Sequence, residues 1–373
     1  MKRDAALGQR YATLFNGAYT GRRVLVTGHT GFKGSWLALW LQAMGAQVCG
    51  LALPSESGLN HSRLLQLPID EALVDLRDAA AVRDALRRFE PEFVFHLAAQ
   101  ALVRRSYLEP AATFDTNVTG LVNLLEAVRA TPSVRVVVNA TTDKCYLNGD
   151  TARGHVEDDA LGGRDPYSAS KACAEIVSAS YRSSFLNDDD GRGHAVALAT
   201  ARAGNVVGGG DWSEDRLIPD LVRSAVSGKA VSIRYPHATR PWQHVLEPLA
   251  GYLLLGQRLR ADPSDVAEAW NFGPDVSGQL SVAQVIAAFA EHWPAVKSQP
   301  DRSVSFHEAA LLHLDCRKAQ ARLGWRPVWP AHTTFQRTAQ WYRRQHELGD
   351  LRSRDDMQQY VADARSAGLA WAA

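Results

Sequence analysis

The 373-residue sequence has no apolar run near the ~18 residues that a membrane-crossing helix requires. Its N-terminus, "MKRDAALGQRYATLFNGAYTG", carries charge but no continuous hydrophobic segment, so a signal peptide is not expected either. Cysteine is scarce: Cys49, Cys145, Cys173 and Cys316 stand far apart without C-x-x-C spacing. That excludes a disulfide scaffold and fits reduced thiols in a cytoplasmic protein. Charge of one sign is also missing, since 41 Lys and Arg face 40 Asp and Glu. A general nucleic-acid or acidic-membrane binder would show a basic excess, so neither is expected as a partner. Any anionic ligand must be met by a few local cations. His, Cys and Asp are not grouped at metal-ligand spacing, and no metal site is expected. Internal repeats and low-complexity segments are absent as well. What remains, 46% apolar and 22% charged residues, is an ordinary globular composition with core enough for one large or two medium domains.

Short apolar runs alternate with helical patterns over the first two thirds of the chain. "RRVLVTG" precedes "GFKGSWLALWLQAMGA", whose apolar residues fall at helical spacing and whose Gly45 ends the helix. "QVCGLAL", a loop to about residue 70, and the short strand "ALVDL" follow. "AAAVRDALRRF" reads as a helix stopped by Pro91, and "FVFHLAA" as a buried strand. Pro110 opens a long helix carrying "FDTNVTGLVNLLEAVRA"; "RVVVNAT" and "AVALATARAG" are the fifth and sixth strands. Strands separated by helices predict right-handed crossovers and an α/β fold with a doubly wound parallel sheet. The acidic stretch 188–193 reads as a solvated turn. After Asn205 the alternation fades into a Gly-, Pro- and Trp-rich stretch, as expected of a lobe closing over a ligand. We expect a dinucleotide-binding domain over 1–205, with 245–273 returning to it, and a smaller substrate-binding domain from 206–244 and 274–373.

"TGHTGFKG" places Gly28, Gly31 and Gly34 between the first strand and the first helix. Glycines there permit a tight turn and close backbone approach, so that a pyrophosphate can sit on the helix N-terminus. The acidic ribose contact expected about 20 residues further on is missing; Glu56 is near but lies past a proline. NAD is the preferred cofactor, and the second strand leaves NADP open. Asp75 either accepts from an adenine amino group or caps the next helix. "HLAAQ", residues 96–100, ends the fourth strand in small residues that leave room beside the sheet; His96 itself reads as a core histidine.

"TTDKCY", residues 141–146, crowds a hydroxyl, a carboxylate and an amine at the end of the fifth strand. Tyr167 and Lys171 in "YSASK" are four residues apart and share a helical face. A lysine cation beside a positive nicotinamide ring would lower the tyrosine pKa, and the phenolate could take a sugar hydroxyl proton during hydride transfer. Thr142 would share that hydrogen bond. A cation next to Asp143 should depress its pKa, whereas an acid role requires it to keep its proton. Arg216 and Arg240 suit a diphosphate, because guanidinium matches phosphate geometry; each alone also reads as a surface charge. Trp242 and His244 are expected to pack or hold the loop.

In this order, "TGxxGFxG", "HLAAQ", the strand-end threonine and "YSASK" resemble the extended short-chain dehydrogenase/reductase family, of Rossmann type. "GHTGFKGSW", "TTDKCY", "DPYSASK", "RAGNVVGGGDW", "DRLIPD", "RPWQHVLEPLAGY" and "WNFGP" are similar to the CDP-glucose branch of its nucleotide-sugar 4,6-dehydratases, over roughly residues 15–345. The resemblance implies a hydro-lyase that holds NAD throughout, oxidises C4 of CDP-D-glucose, eliminates water across C5 and C6 and returns hydride to C6. It implies that Thr142 helps at the C4 oxygen, Asp143 protonates the leaving hydroxyl and Lys144 abstracts from C5. Related dehydratases usually carry glutamate where this chain has Lys144. Gly28, His29, Gly31, Phe32, Lys33, Gly34, Asp75, Leu76, Leu97, Ala98, Ala99 and Asn117, with Tyr167 and Lys171, would face the cofactor. Gln100, Asn205, Arg216 and Arg240 would face the substrate. A homodimer or homotetramer, built through the helices around 110–130 and 167–187, is expected, with a role in deoxysugars of surface polysaccharide. The rivals are a 4-epimerase, a dehydratase for another nucleotide sugar, and a non-catalytic dinucleotide-binding regulator. An epimerase needs no acid after the threonine, so Asp143 favours dehydration.

Overall fold

The computed structural model describes residues 11–55, 58–147, 153–186, 195–301 and 313–373. Glu56 and the stretch 188–193 lie outside the described residues.

Strand β1 (Arg23–Thr27) runs into the glycine turn and α1 (Phe32–Ala43). Gly45, at φ +82°, turns the chain left-handed into β2 (Gln47–Ala52), as its position predicts. The loop beyond β2 holds a short helix, His61–Leu65, which lacks the length for a periodic signal. β3 (Asp70–Leu73) begins two residues before "ALVDL" because its register is set by β2, Cys49 opposite Asp70. α2 (Ala79–Phe89) ends at Glu90 in the left-handed region, ahead of Pro91, and β4 (Phe93–His96) follows. Pro110 opens α3, helical over Pro110–Phe114 and Gly120–Arg129 around a wide π-turn at Asp115–Thr119. β5 (Val136–Ala140), α4 (Pro166–Ser184) and β6 (Ala197–Ala203) complete the alternation.

The chain then leaves the sheet through β7 (Asn205–Val207), α5 (Leu217–Ser227), β8 (Val231–Ile233) and β9 (Thr239–His244). It returns along α6 (Leu246–Ala261) and lays β10 (Ala269–Phe272) against β6. The seven parallel strands stand in the order β3-β2-β1-β4-β5-β6-β10, which reverses direction between β1 and β4. A cleft opens at such a switch point, beyond the carboxyl ends of the strands. Beside it, β7 and β9 join β11 (Gln279–Ser281) in a three-stranded sheet, and β8 pairs with β12 (Ser298–Pro300).

After the return come the helices α7 (Val282–His292), α8 (Ala331–Leu348) and α9 (Ser353–Ser366). The expectation placed all of 274–373 in the substrate half, but the final segment docks elsewhere. Trp371 stacks on Phe15 at 4.9 Å and meets Trp40 of α1 edge-on, while Tyr360 packs on the same Trp40. The buried Glu247 at the start of α6 accepts from the Trp329 and Val328 amides at 2.7 and 3.0 Å and from the Tyr360 hydroxyl at 2.7 Å. The aromatic content of the tail makes it core for the first half of the chain. Among the described residues, no helix is long and apolar enough to cross a membrane, and no group of His, Cys, Asp or Glu could hold a metal ion.

Candidate active site

Gly28 sits at φ +73°, and a Cβ there would lie 2.9 Å from the Ala98 backbone. A Cβ on Gly34 would fall 2.1 Å from the Gly28 carbonyl oxygen. Only glycine lets the end of β1, the start of α1 and the end of β4 come this close. Gly31 enters α1 with no side-chain cap, so the first amides of the helix face the cleft unspent, which suits an anionic group. The cleft is a cavity of about 1030 Å³, and its wall includes Gly28, Gly31, Phe32, Lys33, Gly34, Asp75, Leu76, Leu97, Ala98, Ala99, Thr142, Asp143, Lys144, Tyr167, Lys171, Asn205, Arg216 and Arg240.

Three residues of the expected set stand apart from it. The His29 ring lies over Gly50 on the far side of the turn and donates Nε2–H to Glu71 at 2.8 Å, away from the cleft. Asn117, in the π-turn of α3, accepts from the Gln100 amide at 2.8 Å and donates to the Gln100 carbonyl at 3.0 Å. The Gln100 side chain is spent on the Leu102 backbone and the Thr113 hydroxyl. Asn117 and Gln100 therefore shape the wall from behind. Asp75 does line the cavity, with its carboxylate in a fork with Arg77. It is not a helix cap: Asp78 caps α2 by accepting from the Ala80 and Ala81 amides. His96 is a satisfied core histidine, 2.7 Å from Thr27 Oγ1, and burial pushes its pKa down to about 3.

At the end of β5 the Thr142 hydroxyl donates to Asp143 Oδ1 at 3.0 Å. Asp143 is 1% exposed, and its Oδ2 has no partner. Burial raises its pKa and outweighs Lys144, the Thr142 hydrogen bond, Arg240 and Lys33, so the neighbouring cation does not win. The Tyr167 hydroxyl is hydrogen-bonded to Thr142 and recessed in the wall. Burial pushes the phenol up to about 12, ahead of the opposing Thr142 hydrogen bond and Arg216. The protein by itself keeps Tyr167 protonated.

Burial depresses the pKa of both Lys33 and Lys171. Lys171 Nζ donates to the Ala140 carbonyl at 3.0 Å, and burial brings it to about 8. Lys33 falls to about 7 through burial, then repulsion by Arg216 and Lys171; its Nζ lies 3.4 Å from the Tyr252 hydroxyl. A motif reading assigns Lys33 to the cofactor turn, but its side chain reaches the same charges that surround Asp143. Arg216 is paired with Asp211 at 3.0 Å, which raises its pKa.

Sequence reasoning missed the ion pair of Arg104 with Asp215, which ties the helix Val103–Leu108 to the loop before α5 across the cavity wall. It carries no motif, since its two partners are 111 residues apart. Trp242 donates Nε1–H to the Leu280 carbonyl at 3.0 Å and also borders the cavity, so it packs and forms part of the cavity wall. His244 is buried against Trp329, as a packing residue.

A glycine turn at a switch point, with a helical Tyr-x-x-x-Lys pair and a strand-end threonine around one cavity, defines a dinucleotide-dependent enzyme of the extended short-chain dehydrogenase/reductase class. Within that class the chain belongs to the GDP-mannose 4,6 dehydratase family, whose model matches residues 25–338. The chain is 46% identical over 328 residues to the CDP-glucose 4,6-dehydratase of Salmonella typhimurium, covering 87% of this chain and 91% of that one. A solved dTDP-glucose 4,6-dehydratase double mutant from Streptomyces venezuelae, with NAD bound, superposes with a TM-score of 0.72 at 25% identity, covering 86% of this chain and 97% of that one. The UDP-glucose 4-epimerase of Thermotoga maritima shares the fold, with a TM-score of 0.74 at 23% identity over 87% of this chain and 99% of its own.

Proposed function

We propose that this chain converts CDP-D-glucose to CDP-4-keto-6-deoxy-D-glucose, with NAD held throughout the cycle. The observation that carries the reading is the buried, unpaired Oδ2 of Asp143, whose carboxyl is kept towards its acid form beside Thr142 and Tyr167. An epimerase site has no use for a proton donor at that point. The glycine cradle and the unspent amides of α1 fit the pyrophosphate of NAD, and Lys171 and Tyr167 would hold its nicotinamide ribose. When bound, NAD takes hydride from C4 and supplies it again at C6.

The residues of the chain do the rest. Tyr167 takes the proton of the C4 hydroxyl, with Thr142 sharing the hydrogen bond; Lys171 favours the phenolate. Oxidation at C4 makes the C5 proton acidic; Lys144 removes it and returns a proton to C5 when hydride is delivered to C6. Asp143 gives its proton to the departing C6 hydroxyl, so water leaves with its atoms balanced. Arg216 and Arg240 hold the diphosphate, and Asn205 contacts it from β7. The glycine-rich half is the dinucleotide domain, and the excursion after Asn205 holds the sugar nucleotide.

The product would feed deoxysugars of surface polysaccharide such as O-antigen, in the cytoplasm. Exposed Tyr107, Leu108 and Ile176 near α3 and on α4 support a homodimer or homotetramer. The test is incubation with NAD⁺ and CDP-glucose in D₂O, read by mass spectrometry. Dehydrated product with one deuterium at C5 and no accumulating NADH is expected. Unchanged CDP-glucose, with another nucleotide sugar inverted at C4, would overturn the reading.

A further inference from the structure

The face of α4 that carries Tyr167 and Lys171 continues one turn on to Glu175. Each of the three side chains meets a consecutive stretch at the end of β5. Tyr167 bonds the Thr142 hydroxyl, Lys171 Nζ donates to the Ala140 carbonyl, and Glu175 Oε1 accepts from the Thr141 hydroxyl. The second oxygen of Glu175 accepts from Thr200 Oγ1 at 2.6 Å and from Arg202 Nη2 at 2.9 Å. Arg202 also donates to the Tyr146 hydroxyl at 2.7 Å, and that hydroxyl donates to Asn271 Oδ1 at 2.7 Å. One buried carboxylate thus anchors both ends of the segment Thr141–Tyr146. Neither Glu175 nor Arg202 lines the cavity.

Resting on the reading above, we propose that Glu175 is a positioning residue: one helical turn beyond Lys171 on the same face of α4, it supplies the buried carboxylate that offsets the ammonium, and its hydrogen bonds hold Thr142, Asp143 and Lys144 turned into the cavity. Lys171 is buried, and burial opposes its charge. The groups that act on it are Glu175 on its own helix, Cys145 from the strand-end segment, Lys33 from α1 and His96 from β4. Burial pushes the Cys145 thiol up and the His96 imidazole down, which leaves both neutral at pH 7. Lys33 only repels. Glu175 is then the one carboxylate, among the described groups acting on Lys171, that stabilises its cationic form. A neutral Lys171 would give Tyr167 no help towards the phenolate.

The measurement is the ¹³Cε titration of Lys171, assigned by its loss in Lys171→Met. In Glu175→Gln the midpoint should fall by about one pH unit or more, and Glu175→Asp should restore most of it. Glu175→Gln leaves Arg202 without a counter-charge and can fail to fold for that reason alone. The double variant Glu175→Gln/Arg202→Met removes both charges and should show the same fall. On CDP-glucose, the alkaline limb of the kcat profile should move to lower pH in step, with KM little changed. A folded double variant in which Lys171 titrates as in the wild type would overturn the proposal. The titration needs no substrate, so a protein inert to every nucleotide sugar would sink the proposed function and leave this result standing.

Discussion

Around Asp143, desolvation decides the protonation states, and side-chain contacts only modify them. Burial moves the Asp143 carboxyl towards its acid form against Lys144, Arg240 and Lys33, and the phenol of Tyr167 holds its own proton. Asp143→Asn keeps the shape but has no proton to give, so elimination should slow by roughly 10²–10⁴. Oxidation at C4 should persist, visible as a transient NADH absorbance in rapid mixing. Lys144→Ala should abolish deuterium incorporation at C5, with Lys33→Met as the control, because Lys33 lies among the same charges and is near neutral. Exchange lost in Lys33→Met and retained in Lys144→Ala would reassign the base. The motif "TTDKCY" located this chemistry in the sequence, since its order at a strand end is local. What it could not disclose is which groups lose water, because that depends on residues brought in from α1, β4 and β9.

The strands and helices of the first half were legible because each writes its own period, and Gly45, Pro91 and Pro110 mark ends where expected. Errors fell where an element borrows its limits from a neighbour. β3 starts early because β2 sets its register, and the helix His61–Leu65 is too short for a period. The turn between β1 and α1 is the least forgiving join. Gly34→Ala would drive a methyl into the Gly28 carbonyl, which must then move away from the helix. Such overpacking should cost about 1–3 kcal/mol. We expect a lower Tm together with weaker NAD binding by fluorescence titration; a normal Tm with unchanged binding would show that the turn can relax.

For the molecule as a whole, the C-terminal segment is structural, and its attachment depends on pH. Burial lifts the Glu247 carboxyl from its ordinary 4.5 to about 7, although it accepts from two amides and Tyr360. The folded state therefore binds a proton that the unfolded chain has released. The resulting stabilisation is complete below about pH 4.5 and is lost as pH rises through 7, to a limit of about 3 kcal/mol. The Tm difference between wild type and Glu247→Gln should fall by several degrees from pH 5 to pH 8. A constant difference would mean that Glu247 is ionised throughout. The docking of α9 and the tail was not legible in the sequence, because Tyr360 packs on Trp40 and Trp371 on Phe15 and Trp40, more than three hundred residues upstream, and such pairs leave no local pattern.

The return of the chain to the sheet also has a consequence in time. β10 completes the edge beside β6 only after roughly 65 intervening residues have been made. At a synthesis rate of about 5–20 residues per second, a new chain carries the open edge of β6 for about 3–13 s. An unpaired strand edge is a template for other chains. The excursion that supplies the sugar-nucleotide lobe thus sets a delay during biosynthesis, in which aggregation competes with completion of the sheet.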